Sequence, residues 1–211
     1  MTPSRLIILG TCTVGVLTAA EMPTVDLLGG AGFTDTFIGL GVTVSDDRAR
    51  DAERDFTSLK LSASLSSVSG YPVPGHPSVG GLLGGMLMMQ AWIAHDQDVN
   101  WTAIDPSISL VGGGFWKTSD TLRFTLTGEV GPGLAFTRFD DGSGDTTSYI
   151  RPSIHAGAHV GAMVQTSPHS DLGLIYGYEY DYLPEVTSEG PVLILAFTWT
   201  PAAQGSKPAE K

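Results

Sequence analysis

Two histidines, His155 and His159, have the spacing in this chain that most suggests chemistry. They lie four residues apart in the segment IRPSIHAGAHVGAMV (150–164). Along an extended strand that separation is about 13 Å at ~3.3 Å per residue, so the two imidazoles cannot share one metal ion. Buried polar side chains are usually paired by hydrogen bonds, and we therefore interpret both as hydrogen-bonding groups. We expect neither a metal site nor a cofactor.

Two further features could carry chemistry. The stretch DDGSGD (140–145) offers carboxylates to Ca²⁺, but its spacing differs from that of an EF-hand loop, so a solvated acidic loop is the better interpretation. His95 follows an apolar segment and has no evident partner in the sequence. Phosphate-binding loops, zinc motifs and nucleophile elbows are all missing from the sequence. We predict no catalytic residues and a protein that is not an enzyme.

The elements that position these side chains show an alternating pattern. In LGLIYGYEYDYL (172–183) apolar and aromatic residues occupy every second position, and glycines and acids lie between them. This period of two predicts a β-strand. Segment 80–94 is apolar on both faces and would also suit a buried helix, although its glycine pairs favour a strand. The eight predicted strands are 33–44, 56–66, 80–94, 104–116, 122–137, 150–164, 172–183 and 191–200.

The N-terminus indicates export. Arg5 precedes an apolar run, and small residues follow at 18–20, which is typical of a secretory signal peptide (1–20) cut after Ala20. An uncleaved anchor is the alternative, although the run is short for a membrane span. Cys12, the only cysteine, lies too early in the run for a lipoprotein signal. The net charge of −11 argues against nucleic acid as a partner.

Eight strands with alternating apolar and polar residues fit two kinds of barrel, which differ in whether the apolar face points inward or outward. A soluble lipocalin-like barrel has an apolar cavity, whereas a transmembrane barrel has an apolar exterior and a polar lumen. Only 16% of the residues are charged, whereas a solvated surface usually carries about 25–35%. We therefore predict an all-β, eight-stranded antiparallel up-and-down transmembrane β-barrel. Its predicted lumenal polar network comprises Lys60, Arg123, Glu129, Arg151, His155, His159, Glu179 and Asp181.

Aromatic residues and connections support the transmembrane interpretation. Amphipathic rings favour the boundary between membrane and water, and the predicted interface residues are Tyr176, Tyr178, Tyr180, Tyr182 and Trp199. The segments 117–120 and 165–171 read as short polar turns. The alternate connections, near 45–55, 95–102 and 139–147, are more acidic and generally longer. Segment 68–79 should be a short turn in this scheme and is too long for one.

Taken together, residues 33–200 resemble the small outer-membrane β-barrels of Gram-negative bacteria, of the opacity-protein and OmpA-transmembrane-domain type. The resemblance lies in the signal peptide, the strand count, the loop pattern and the aromatic Phe197 and Trp199 near the end of the last strand. It implies an outer-membrane location, with membrane lipid, lipopolysaccharide and the barrel-assembly machinery as partners. Residues 21–32 would form an N-terminal periplasmic segment, and 201–211 a disordered tail.

The expected function follows from the strand count. Eight strands leave an interior that side chains just fill, so the lumen would hold at most a narrow pore. We therefore expect a structural or surface-interaction role, with acidic surface loops and an unknown surface ligand. One alternative is a lipid A-modifying outer-membrane enzyme, for which His95 is the only candidate near the outer rim. The other is a soluble, secreted, lipocalin-like binding barrel.

Overall fold

The computed structural model describes residues 31–50, 54–96, 99–140, 146–183 and 185–199. The predicted signal peptide (1–20), nearly all of the predicted periplasmic segment (21–32), the tail (201–211) and all but the first residue of DDGSGD lie outside the described residues. Within the described ranges, no helix is long and apolar enough to cross a membrane.

The chain forms one closed antiparallel barrel. Each strand pairs with its neighbours in sequence, and β1 closes the ring by pairing with β8. The predicted fold class is confirmed, and segment 80–94 is a strand. The strands are β1 (Phe33–Ala49), β2 (Arg54–Val73), β3 (His76–Asp96), β4 (Val99–Lys117), β5 (Leu122–Asp140), β6 (Thr146–Ser167), β7 (Ser170–Tyr182) and β8 (Val186–Trp199).

The two ends of the barrel differ from the prediction. We call the end with the β2–β3, β4–β5 and β6–β7 connections the turn end, and the opposite end the loop end. The expected long loops at 45–55 and 95–102 are largely strand, and strands also take both ends of 139–147, so that the connections at this end span only two to five residues. Strand pairing needs only backbone hydrogen bonds. It therefore continues beyond the point where apolar and polar residue types stop alternating in the sequence, although the side chains still alternate between the two faces.

Segment 68–79 also proves to be mostly strand. β2 continues to Val73 and β3 begins at His76, which leaves a tight turn at Pro74 and Gly75. Gly75 has a φ of 80°, a left-handed conformation that glycine adopts without a steric penalty. The register shifts between Pro72 and Val73. The connection is therefore a short turn like the others at the turn end, and the apparent exception disappears.

The outer surface of the barrel is apolar. Every strand contributes exposed aliphatic side chains, for example Leu40 on β1 and Leu110 on β4, which are 60% and 66% exposed. Polar and charged residues such as Lys60 and Glu179 face inward and are buried. A soluble barrel has the reverse arrangement, so the lipocalin-like alternative is wrong. The chain is a transmembrane β-barrel of the outer-membrane type.

The four outward tyrosines of β7 extend over a greater length of the strand than one membrane–water interface. Tyr176, Tyr178, Tyr180 and Tyr182 all point outward on β7. Tyr176 and Tyr182 are six residues apart, which is about 20 Å along a strand at ~3.3 Å per residue. They cannot share one membrane boundary. Tyr182 is at the loop end under the Arg50 guanidinium, whereas Tyr176 is in the apolar belt and Trp199 is at the turn end.

Candidate functional site

The lumen is layered rather than polar throughout. An apolar cluster at each end encloses a central polar network. The loop-end cluster contains Ala49, Phe56, Trp92, Ala94, Trp101, Ala103, Ala135, Leu183 and Val186. The turn-end cluster contains Val68, Leu82, Met86, Met88, Val111 and Phe115, with Phe33 and Phe37 packed against it.

Lys60 is at the centre of the polar network. Its Nζ donates to Glu179 Oε2 at 2.5 Å and to Asp181 Oδ2 at 2.7 Å. All three side chains are 1% exposed. Glu179 and Asp181 are two residues apart on β7, so both carboxylates project inward. They meet the lysine from β2 across the lumen.

His155 lies between two carboxylates. Its Nδ1 is 2.6 Å from Asp181 Oδ1, and its Nε2 is 2.6 Å from Glu129 Oε1. A neutral imidazole donates from only one nitrogen. Two such contacts therefore require a second proton, either on the ring or on one of the carboxylates. His155 joins Glu129 of β5 to the ion pairs on β7.

His159 completes the central network. Its Nε2 is 3.4 Å from Glu179 Oε1, and its Nδ1 is 4.0 Å from Glu129 Oε2. Two glycines make room for the ring. A Cβ at Gly177 would overlap His159 Cδ2, and one at Gly157 would lie 2.8 Å from Cε1. No sequence pattern reveals this function of the glycines, because it depends on the pairing of His159 with Gly177 across two strands.

Two predicted members lie away from the central network. Arg123 is buried at the turn end, where it pairs with Asp35 at 2.6 Å and Asp171 at 2.9 Å. Arg151 is at the loop end, on the same face of β6 as His155, with its side chain 56% exposed and 3.1 Å from Glu185, so it takes no part in the central network. Alternation identifies the face of a residue but not its height in the barrel, which the register between strands determines.

His95 lies on the outside of the loop end. Its Nδ1 contacts Oδ1 of Asn100, a partner that the sequence analysis missed because the two residues face each other across β3 and β4. His95 also lines an open polar groove with Asp46, Asp55 and Glu189. Asp46 and Glu189 are paired directly across β1 and β8.

A small cavity adjoins the central network on its turn-end side. Its volume is about 80 Å³. Glu129, His159 and Glu179 form part of its polar wall, and Met88 and Val111 form part of its apolar wall. The cavity is large enough for ordered water.

Comparisons with solved structures find barrels of the same kind. Ail, the attachment invasion locus protein of Yersinia pestis, is 16% identical, with a TM-score of 0.46 over 80% of this chain and 99% of that chain. Neisserial surface protein A is 14% identical, with a TM-score of 0.49 over 81% and 98%. The outer membrane enzyme PagL is 11% identical, with a TM-score of 0.45 over 76% and 97%.

No protein family model matches the chain, and no curated protein does. All three TM-scores given above are below 0.5. The assignment of the fold therefore rests on this chain's own strand pairing and on the apolar exterior of its barrel.

Proposed function

We propose that this chain is an outer-membrane β-barrel protein with a structural or surface-interaction role and at most a narrow path through its lumen. One observation carries the proposal: side chains cross the lumen at both ends and in the middle, beneath an apolar outer surface. Such a barrel can anchor and display its loop end, but it has no wide aqueous channel.

Side chains cross the lumen at three heights, which argues against a diffusion pore. Trp92 and Trp101 pack against each other at the loop end, with ring centroids 6.2 Å apart. Lys60 and its two carboxylates cross the middle. Phe33 and Phe115 meet edge to face at the turn end, with centroids 5.0 Å apart. A solute would have to displace all three layers.

Membrane lipid and lipopolysaccharide are the proposed partners of the outer surface, and the barrel-assembly machinery is the proposed partner during insertion. The apolar belt supports contact with acyl chains. Above it, Asp46, Asp55 and Glu189 give the loop-end exterior its acidic character. This rim, rather than the long acidic loops expected from the sequence, is the surface that we propose to meet an external ligand.

A lipid A-modifying enzyme is the weaker alternative. His155 and His159 are buried in the lumen, away from any lipid. His95 faces outward near the belt, but its ring is hydrogen-bonded to the Asn100 side-chain amide. A hydrolase needs a nucleophile held by its base, and among the described residues no hydroxyl is hydrogen-bonded to His95. The geometry around His95 therefore gives no support to the enzymatic alternative.

Membrane fractionation tests the proposal. We expect the protein in the outer-membrane fraction, and we expect unheated samples to migrate differently from boiled samples in detergent gels, because a closed barrel offers no free edge at which unfolding can begin. Recovery in the soluble periplasm would contradict the membrane assignment. Hydrolysis of lipid A by the purified protein, abolished by His95→Gln, would replace the proposed role with the enzymatic alternative.

A further inference from the structure

Glu129, His155 and Glu179 form the one group in the described part of the chain whose geometry suits a metal ion. Each offers one ligand atom, and these atoms all lie within 4.8 Å of one another. The three side chains reach the middle of the lumen from β5, β6 and β7. We propose that this group binds a first-row divalent cation such as Zn²⁺. The inference goes beyond the proposed surface role and does not depend on it.

The donor set suits zinc. An imidazole nitrogen and two carboxylate oxygens are ligands that Zn²⁺ accepts, at about 2.0–2.2 Å. Tetrahedral geometry at that distance puts neighbouring ligand atoms roughly 3.3 Å apart, so the ligand atoms need only small movements from their present separations. The 2.6 Å contact between His155 Nε2 and Glu129 Oε1 opens. The proton shared there passes to solvent as the metal takes its place.

Outer contacts already orient the ligands. Asp181 Oδ1 lies 2.6 Å from His155 Nδ1, so a proton on Nδ1 leaves the lone pair of Nε2 for a metal. Carboxylate, histidine and metal form such a relay in many metal sites. Lys60 binds Glu179 through Oε2, which leaves Oε1 for coordination. Two of the three ligands, His155 and Glu179, are thus held by a neighbour that is not itself a ligand.

The charge of the network also favours a divalent cation. The network holds three carboxylates, those of Glu129, Glu179 and Asp181, and the single ammonium of Lys60. With the second proton of the His155 contacts in place, one negative charge remains without a counter-charge in a buried setting, which is costly. A divalent cation that replaces this proton leaves the network neutral.

The adjoining cavity supplies a fourth ligand. Glu129 and Glu179 both line this space of about 80 Å³, which can hold a metal-bound water. His159 lines it as well, and its Nε2 is 3.4 Å from Glu179 Oε1. Three protein ligands plus one water is a common arrangement for zinc. His159 is then positioned to hydrogen-bond that water.

The experiment loads the metal during folding, because apolar clusters close both ends of the lumen. The full chain without a histidine tag is unfolded in urea and refolded in detergent micelles with Zn²⁺. It is then washed with chelator and analysed by elemental mass spectrometry. We expect about one Zn²⁺ retained per folded wild-type chain, and a loss of at least tenfold in His155→Gln and Glu129→Gln.

A matched control removes carboxylates from the outer surface. The double variant Asp46→Asn/Glu189→Gln neutralises the opposed acids of the outer groove, and we expect it to retain zinc as the wild type does. The proposal would be overturned if the folded wild type retained no zinc. It would also be overturned if both lumenal variants, His155→Gln and Glu129→Gln, retained as much zinc as the wild type. Loss in the outer variant alone would also overturn it, by locating the metal outside the lumen.

X-ray absorption of the zinc-loaded wild type keeps the proposal testable if the lumenal variants do not fold. We expect a nitrogen and oxygen shell at about 2.0–2.2 Å, together with the outer-shell scattering of one imidazole. A shell of oxygen alone, without imidazole scattering, would contradict coordination by His155.

Discussion

Lys60 shows how a charged residue becomes part of a membrane protein's interior. Its side chain is 1% exposed, and its ammonium meets two carboxylates at 2.5 and 2.7 Å. Alternation in the sequence predicted that Lys60, Glu179 and Asp181 share the inner face, because face follows from the period of two. Their contact depends on the heights that the β2 and β7 registers give them, and no local pattern encodes those heights.

Removing the ammonium should destabilise the barrel. Lys60→Met leaves Glu179 and Asp181 buried without their cation, and breaking a buried pair in this way costs about 3–5 kcal/mol. We expect the free energy of unfolding, measured by urea titration in lipid vesicles, to fall by about that amount. Lys117→Met is the matched control, because Lys117 is exposed at the turn end and lies over the Phe33 ring. Its loss should cost less than about 1 kcal/mol.

A triple variant distinguishes two causes of this destabilisation, the loss of the attraction to Lys60 and the burial of carboxylates without a counter-charge. Lys60→Met combined with Glu179→Gln and Asp181→Asn leaves no unpaired carboxylate on β7. We expect this chain to be more stable than Lys60→Met alone, because most of the penalty comes from the uncompensated buried anions. If the triple variant were the less stable of the two, the lysine would stabilise the fold by means other than charge balance.

At the scale of the element, periodicity predicted all eight strands but not their ends. Within the apolar belt, the bilayer requires every second side chain to be apolar, and the sequence records that requirement. Outside the belt, residues such as Asp46 and Arg48 are in polar surroundings, so paired strand and loop look alike in sequence. The turn at Gly75 escaped prediction because the prolines around it also suit an irregular connection.

Adjacent positions on β5 test the assignment of faces. Leu126 is 56% exposed on the outer surface, whereas Thr127 lines the lumenal cavity. Leu126→Arg puts a cation into the lipid belt at a cost of up to about 2–4 kcal/mol. Thr127→Arg instead places it beside Glu129, where negative charge is in excess. We expect Leu126→Arg to reduce the folded yield in lipid vesicles, measured by heat-modifiable migration, more than Thr127→Arg does.

Ala158 gives a second outward test on β6, where it pairs with Gly128 and Tyr178. Ala158→Arg should behave like Leu126→Arg, because both cations would face lipid. Normal folding of these two variants, together with failure of Thr127→Arg, would invert the assigned faces. The neighbouring position, Gly157, is a poor control because an added side chain there would collide with His159.

At the scale of the whole molecule, three successive layers of side chains cross the lumen: an apolar cluster at each end and the polar network between them. The sequence predicted that side chains would fill it, since eight strands leave little space, but it predicted polar filling only. The apolar clusters at the two ends were missed because their aromatic and methionine side chains come from different strands. We expect each layer to exclude solutes by itself, so that closure does not depend on any single residue.

Conductance across planar bilayers measures that closure. We expect the wild type to give at most small, rare steps. Trp92→Ala/Trp101→Ala opens the loop-end cluster, yet its steady conductance should match that of the wild type, because the Lys60 network and the Phe33–Phe115 contact still cross the lumen. Trp116→Ala, which trims an outward ring that is 43% exposed, controls for the loss of an aromatic residue. Large, steady currents in the double variant would show that the loop-end cluster alone closes the barrel.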